Sequence, residues 1–142
     1  MQIEFSAPDG KADAFSKAAL RELIFNHGEE YWTYGSGSGT ISFKNGAEER
    51  LLSLSFREES GFLLQYAAID LTDIYVAISS SDYSRIVTIH IGGEPWEIPA
   101  AFFVSKVDAW TAADEFLSSG CRAPTLEWVR LSDQEWESNQ YT

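Results

Sequence analysis

The chain has 142 residues, 44% of them hydrophobic and 23% charged, which is the composition of a soluble protein folded as a single domain over residues 1–142. Its 22 acidic and 10 basic residues give a net charge of −12, which argues against direct nucleic-acid binding because such surfaces need Lys and Arg to replace counterions. A single cysteine excludes an internal disulfide, and no apolar run is long enough to cross a membrane.

The N-terminal part of the sequence predicts a helix and then a loop. Asp9 is placed to cap a helix over residues 10–27, and Gly28 marks its end. The Gly/Ser-rich residues 35–39 form a loop that lacks the GK[ST] ending of a phosphate-binding loop. The start of the chain has no basic stretch followed by an apolar run, so we predict a cytoplasmic protein.

The middle of the sequence predicts an antiparallel β-meander. Leu52, Leu54 and Phe56 alternate with polar residues, the pattern of a half-buried strand, and Asn45-Gly46 is a tight-turn signal. Because consecutive short strands joined by turns pair antiparallel, we expect each strand to lie beside the next. The expected strands are 40–44, 52–57, 62–67, 74–79 and 85–91.

The C-terminal part predicts a second helix and a closing strand. Two prolines within residues 94–99 exclude a regular central strand there. Ser105 is placed to cap a helix over residues 105–119, with Gly120 as its stop. A closing strand is expected over residues 125–131. We therefore predict an α+β fold, a curled antiparallel β-meander packed by two helices. The second helix is expected to bury Val107, Trp110, Ala113 and Leu117 on one face, which Phe116 widens.

The sequence offers little that could serve as catalytic chemistry. His27, His90 and Cys121 are isolated from one another and have neither thiol-enzyme signatures nor zinc-ligand spacing. We therefore predict no catalytic residue, no metal and no cofactor. The best enzymatic alternative is a small hydrolase that uses Glu94 and Glu97 as paired carboxylates.

A protein-binding surface accounts for the same residues more simply. Trp96 stands between two prolines, so ordering it on binding costs little, and aromatic anchors are enriched at interfaces. In the alternative interpretation, Trp96 and Ile98 cover a sheet edge and the glutamates are only solvated. The predicted contact residues are Glu58, Glu59, Asp82, Glu94, Trp96 and Glu97, all at strand ends or in loops.

Residues 85–130 resemble a known family. The phrase PAAFFVS at residues 99–105, the helix AWTAADEFLSSG, the turn Arg122-Ala123-Pro124 and the strand Leu126-Glu127-Trp128 occur in the order seen in Imm-one, an immunity-protein family of bacterial polymorphic toxin systems. The resemblance implies a non-enzymatic, cytoplasmic monomer that binds a cognate secreted toxin one to one. Such toxins include nucleases and nucleic-acid deaminases, whose active-site cleft an acidic and aromatic surface would cover. The alternative is an acidic protein-binding adaptor without a toxin partner.

Overall fold

The computed structural model describes residues 2–8, 16–32, 37–68, 70 and 72–136. Its helices are α1 (Lys17–Asn26), α2 (Glu29–Trp32) and α3 (Lys106–Ser119). Short 3-10 turns occupy Ala100–Phe102 and Leu131–Asp133. The strands are β1 (Gln2–Ser6), β2 (Gly39–Asn45), β3 (Glu48–Arg57), β4 (Gly61–Ala68), β5 (Tyr75–Ile78), β6 (Ile86–Ile91), β7 (Glu94–Pro99), β8 (Phe103–Val104) and β9 (Glu127–Arg130).

The main sheet is antiparallel and confirms the predicted α+β class. Its strand order is β1-β2-β3-β4-β5-β9, and β8 pairs with the first residues of β4. The β2–β3 hairpin turns through Gly46 and Ala47, one residue beyond the predicted Asn45-Gly46 pair. The closing strand β9 pairs with β5 and is shorter than the predicted 125–131.

The larger core lies between one face of the sheet and the helices. Strand alternation directs Ile41, Leu52 and Leu64 to this face, where they are buried. Trp32 of α2 is also buried there and meets the Phe62 ring edge-on, with ring centroids 5.2 Å apart. This core places α1, α2 and α3 on the same side of the sheet.

A second core covers the opposite face of β4 and β5. Leu63 and Val76 point to that face and are buried under the β6–β7 hairpin, whose Ile89 and Ile98 are also buried. The Trp136 indole N–H donates to the Glu97 carbonyl over 2.9 Å, which ties the segment after β9 to the hairpin. The end of the sheet that contains β4 and β5 is therefore covered on both faces.

The expected pairing of the fourth and fifth strands is wrong. β6 leaves the sheet and pairs with β7 in a separate two-stranded hairpin, while β9 takes the place beside β5. The turn is Gly92-Gly93, and both residues have positive φ, as the favoured two-residue hairpin turns require. β7 forms despite its prolines, but only in a two-stranded hairpin, as expected of a segment that cannot be a regular central strand.

The predicted start of the first helix is also wrong. Ser16 is extended, and its hydroxyl accepts the Ala19 N–H, so α1 begins at Lys17 instead of continuing from residue 10. The predicted cap Asp9 lies outside the described residues. Ser16 satisfies a free N–H group of the first turn, which is the role that the sequence pattern predicts for Asp9.

Helix α3 matches its predicted ends and part of its predicted buried face. Ser105 accepts the Asp108 N–H, and Gly120 closes the helix in the left-handed conformation. Ala113, Phe116 and Leu117 are buried as predicted, and Ala109 is buried with them. The prediction is wrong for Val107, which is 63% exposed, and Trp110 is only half-buried. None of the helices in the described part of the chain has the length and apolar character that a membrane crossing requires.

Candidate functional site

The first predicted contact group, Glu58 and Glu59, lies in the turn between β3 and β4. Both side chains are exposed. The Glu58 backbone N–H donates to Oε1 of Glu29 over 2.7 Å, and Arg57 lies 3.7 Å from the same carboxylate oxygen. The turn is thereby fixed to the start of α2, and its two carboxylates project from a positioned backbone.

The second group lies on the β6–β7 hairpin, which separates its three members. Trp96 lies opposite Ile89 and is half-buried against the second core, where its indole N–H donates to the Ile91 carbonyl over 3.3 Å. Glu94 and Glu97 are both exposed. Because side chains alternate along a strand, Glu97 points away from the side that carries Glu94 and Trp96.

That alternation bears on the hydrolase alternative. Paired catalytic carboxylates must flank one bond of a substrate, with their carboxyl groups roughly 5–10 Å apart on the same cavity. Glu94 and Glu97 lie on opposite faces of a thin two-stranded hairpin. This geometry does not place the two groups on either side of one substrate.

Asp82 lies in the loop before β6, at the other end of the hairpin from Glu94. Its Oδ1 accepts the Ser84 backbone N–H over 3.0 Å, and its own N–H donates to the Ser80 hydroxyl. Hydrogen bonds from the Ser84 side chain and backbone favour the charged form, so the pKa of Asp82 is lowered from its ordinary value. Asp82 thus acts as a turn residue, distant along the hairpin from the other predicted contacts.

Two of the three predicted groups border the same region. Glu58 contacts Glu29 of α2, and the hairpin tip contacts Gly37, where an added Cβ would lie 2.3 Å from the His90 carbonyl oxygen. Gly39 pairs with Leu54 and Arg57 pairs with Gly61, so Gly37 and the β3–β4 turn both lie at the same end of the main sheet. Glu30 on α2 adds a further exposed carboxylate that the sequence pattern does not indicate. We call Glu30, Glu58, Glu59 and Glu94 the acidic end.

A pocket that the sequence does not predict lies beyond the C-terminal end of α3. It has a volume of about 430 Å³ and is lined by Tyr66, Cys121, Arg122, Ala123, Pro124 and Trp128. The Arg122 guanidinium lies 3.9 Å from the Tyr75 ring centroid and 5.6 Å from that of Tyr66. The sequence signal is the Cys121-Arg122-Ala123-Pro124 turn, but only the fold brings Tyr66 and Tyr75 to it.

The residues considered for catalysis do not converge. His90 is exposed on the outer face of the hairpin, and His27 lies beside the Tyr31 ring at the end of α1. Cys121 is an exposed thiol at the end of α3. Within the described ranges, no three His, Cys, Asp or Glu side chains are grouped in a way that could hold a metal ion.

Comparison with known proteins adds no assignment. No protein family matches the chain, and no curated protein matches it.

Proposed function

We propose that this chain is an immunity protein that binds a cognate secreted bacterial toxin one to one and covers its active-site cleft. The observation that carries the proposal is the acidic end, where exposed carboxylates of α2, the β3–β4 turn and the hairpin tip lie at the same end of the main sheet. The resemblance of residues 85–130 to Imm-one supports it further. The proposed toxin is a nuclease or a nucleic-acid deaminase acting in the cytoplasm.

The proposed mechanism is electrostatic mimicry. Enzymes that act on nucleic acids line their clefts with Lys and Arg, because binding requires phosphate charges to be neutralised. Carboxylates held on a fixed turn present a comparable array of negative charge. A net charge of −12 also attracts a basic partner over distance and so accelerates association.

Trp96 has a more limited role in this mechanism than the sequence predicted. Its ring is half-buried against the second core, and its indole N–H is bonded within the hairpin. Replacing it would therefore disturb the hairpin as well as any contact with the toxin. The carboxylates give a cleaner test because exposed acidic side chains contribute little to a core.

The test compares two double variants with the same change in net charge. Glu58→Lys with Glu59→Lys reverses the β3–β4 turn, whereas Glu22→Lys with Glu127→Lys reverses exposed residues on α1 and β9. Each is co-expressed with the protein encoded beside this chain, and affinity and cell survival are measured. We expect the turn variant to lose roughly 100-fold in affinity, because like charges facing each other cost several kcal/mol.

Three outcomes would count against the proposal. Equal affinity of the two double variants would show that the turn does not contact the toxin. Tight binding to a partner whose expression harms no cell would instead favour the acidic adaptor. Turnover of a nucleic acid, peptide or glycoside that depends on Glu94 or Glu97 would favour the hydrolase.

A further inference from the structure

The pocket beyond α3 is distinct in charge from the rest of this acidic protein. Arg122 lines it, and Arg50 lines a smaller pocket of about 140 Å³ that shares Tyr66 and Cys121 with it. Arg50 is 3.4 Å from Glu48, which partly compensates its charge. Among the described residues, no carboxylate lies within 4 Å of Arg122.

Arg122 is also held in a defined orientation. Its guanidinium carbon lies over the Tyr75 ring, 3.9 Å from the centroid, a contact that limits the positions open to the group while its edge still carries N–H donors. Arg21 and Arg85 also lack a carboxylate within 4 Å among the described residues, but both are exposed, whereas Arg122 is half-buried. A half-buried, stacked guanidinium is preorganised for a planar, two-oxygen anion.

The nearby carbonyl groups that would repel an anion are already bonded. The Tyr66 hydroxyl donates to the Gly120 carbonyl over 3.1 Å, at the negative end of α3. The Trp128 indole N–H donates to the Ala123 carbonyl over 3.0 Å. These bonds use the polar atoms of both aromatic residues, so what the rings themselves offer a ligand is apolar surface.

We propose that this pocket binds an aromatic carboxylate, whose two oxygens pair with the edge of Arg122 while its ring packs against Tyr66 and Trp128. A volume of about 430 Å³ is within the range of small-ligand sites, roughly 300–1,000 Å³. The ligand is either a free aromatic acid or the carboxyl terminus of a polypeptide that ends in an aromatic residue. The inference does not depend on the proposed toxin.

Cys121 provides a built-in reporter, because it is the sole cysteine, is exposed and lines the pocket. Its thiolate attacks the disulfide of dithiobis(nitrobenzoic acid), forming a mixed disulfide and releasing thionitrobenzoate. That reagent is an aromatic carboxylate that should bind the pocket before it reacts, so we expect the rate of Cys121 modification to saturate as its concentration rises. Dithiodipyridine has no carboxylate, so the rate of Cys121 modification should rise linearly with its concentration. The dipyridine rate therefore reports changes in the reactivity of the thiol itself.

The matched variants are Arg122→Gln and Arg21→Gln, since Arg21 also stacks on a ring, 5.0 Å from the Phe25 centroid. Arg122→Gln should slow the reaction of Cys121 with the nitrobenzoate reagent about tenfold, because one charge-assisted pair is lost. It should change the rate with dithiodipyridine less than about twofold. Arg21→Gln should change neither. Equal effects of the two variants on the nitrobenzoate reagent would overturn the proposal.

Competition on the unaltered protein tests the ligand class without relying on any variant to fold. Benzoate should protect Cys121, and benzamide should not. Acetyl-Gly-Phe with a free carboxyl group, compared with its amide, tests the polypeptide source. Protection by benzoate alone assigns the site to a free acid, and protection by the peptide acid extends it to a carboxyl terminus. Absence of protection by both acids would overturn the proposal.

Discussion

Replacing Gly120 by alanine combines two costs that the structure separates. Gly120 has a φ of 72°, and a Cβ there would lie 2.6 Å from Cδ1 of the buried Phe43 ring. The left-handed conformation costs an L residue roughly 1–2 kcal/mol. Pushing a buried ring aside adds about 1–3 kcal/mol. We therefore expect Gly120→Ala to lower the free energy of unfolding by roughly 2–5 kcal/mol.

Gly46→Ala is the matched control, because Gly46 has a φ of 64° and a Cβ added there would meet nothing within 4 Å. It should lose only the conformational part, roughly 1–2 kcal/mol. Urea unfolding of both variants, at unchanged m-value, measures the difference. If Gly120→Ala is no less stable than Gly46→Ala, then Phe43 of β2 does not pack against the end of α3 as described.

Three further predictions concern burial, titration and association. Ser55 is 0% exposed, and its hydroxyl has no hydrogen-bond partner among the described residues. In urea unfolding, Ser55→Ala should therefore leave the free energy of unfolding unchanged or raise it by up to about 1 kcal/mol. The control Ser53→Ala removes a contact with the Thr40 hydroxyl and should not raise it. By carboxyl NMR, Asp82 should titrate below the ordinary aspartate pKa of 3.8. Its contribution to stability is therefore present when the pH is above the pKa of Asp82 in the unfolded chain, and it is lost as the pH falls through the lower pKa of the folded state. Ser84→Ala should raise the folded-state pKa of Asp82 towards the ordinary value. The association rate with the toxin should fall as salt rises, and a flat rate would show that the acidity does not steer binding.

Local sequence signals correctly predicted those features of the fold that depend only on neighbouring residues in the chain. Ser105 and Gly120 place the ends of α3 correctly, because capping depends on groups within one turn of the helix. The alternation of Leu52, Leu54 and Phe56 correctly predicts the buried face and the end of β3, because a strand's two faces follow from its backbone, but the strand begins at Glu48 and not at Leu52. The sequence likewise predicts that the acidic side chains in the turns are exposed.

Only the tertiary structure decided which elements meet. The choice of β7 over β5 as the partner of β6 depends on the Gly92-Gly93 turn and on β9, a strand distant in sequence, occupying the edge beside β5. Burial of Ser55 follows from packing that its own strand pattern does not encode. The Arg122 pocket joins Tyr66 of β4, Trp128 of β9 and the turn after α3, while Tyr75 of β5 lies against Arg122. It exists because long-range strand pairing brings these rings to one side of the sheet.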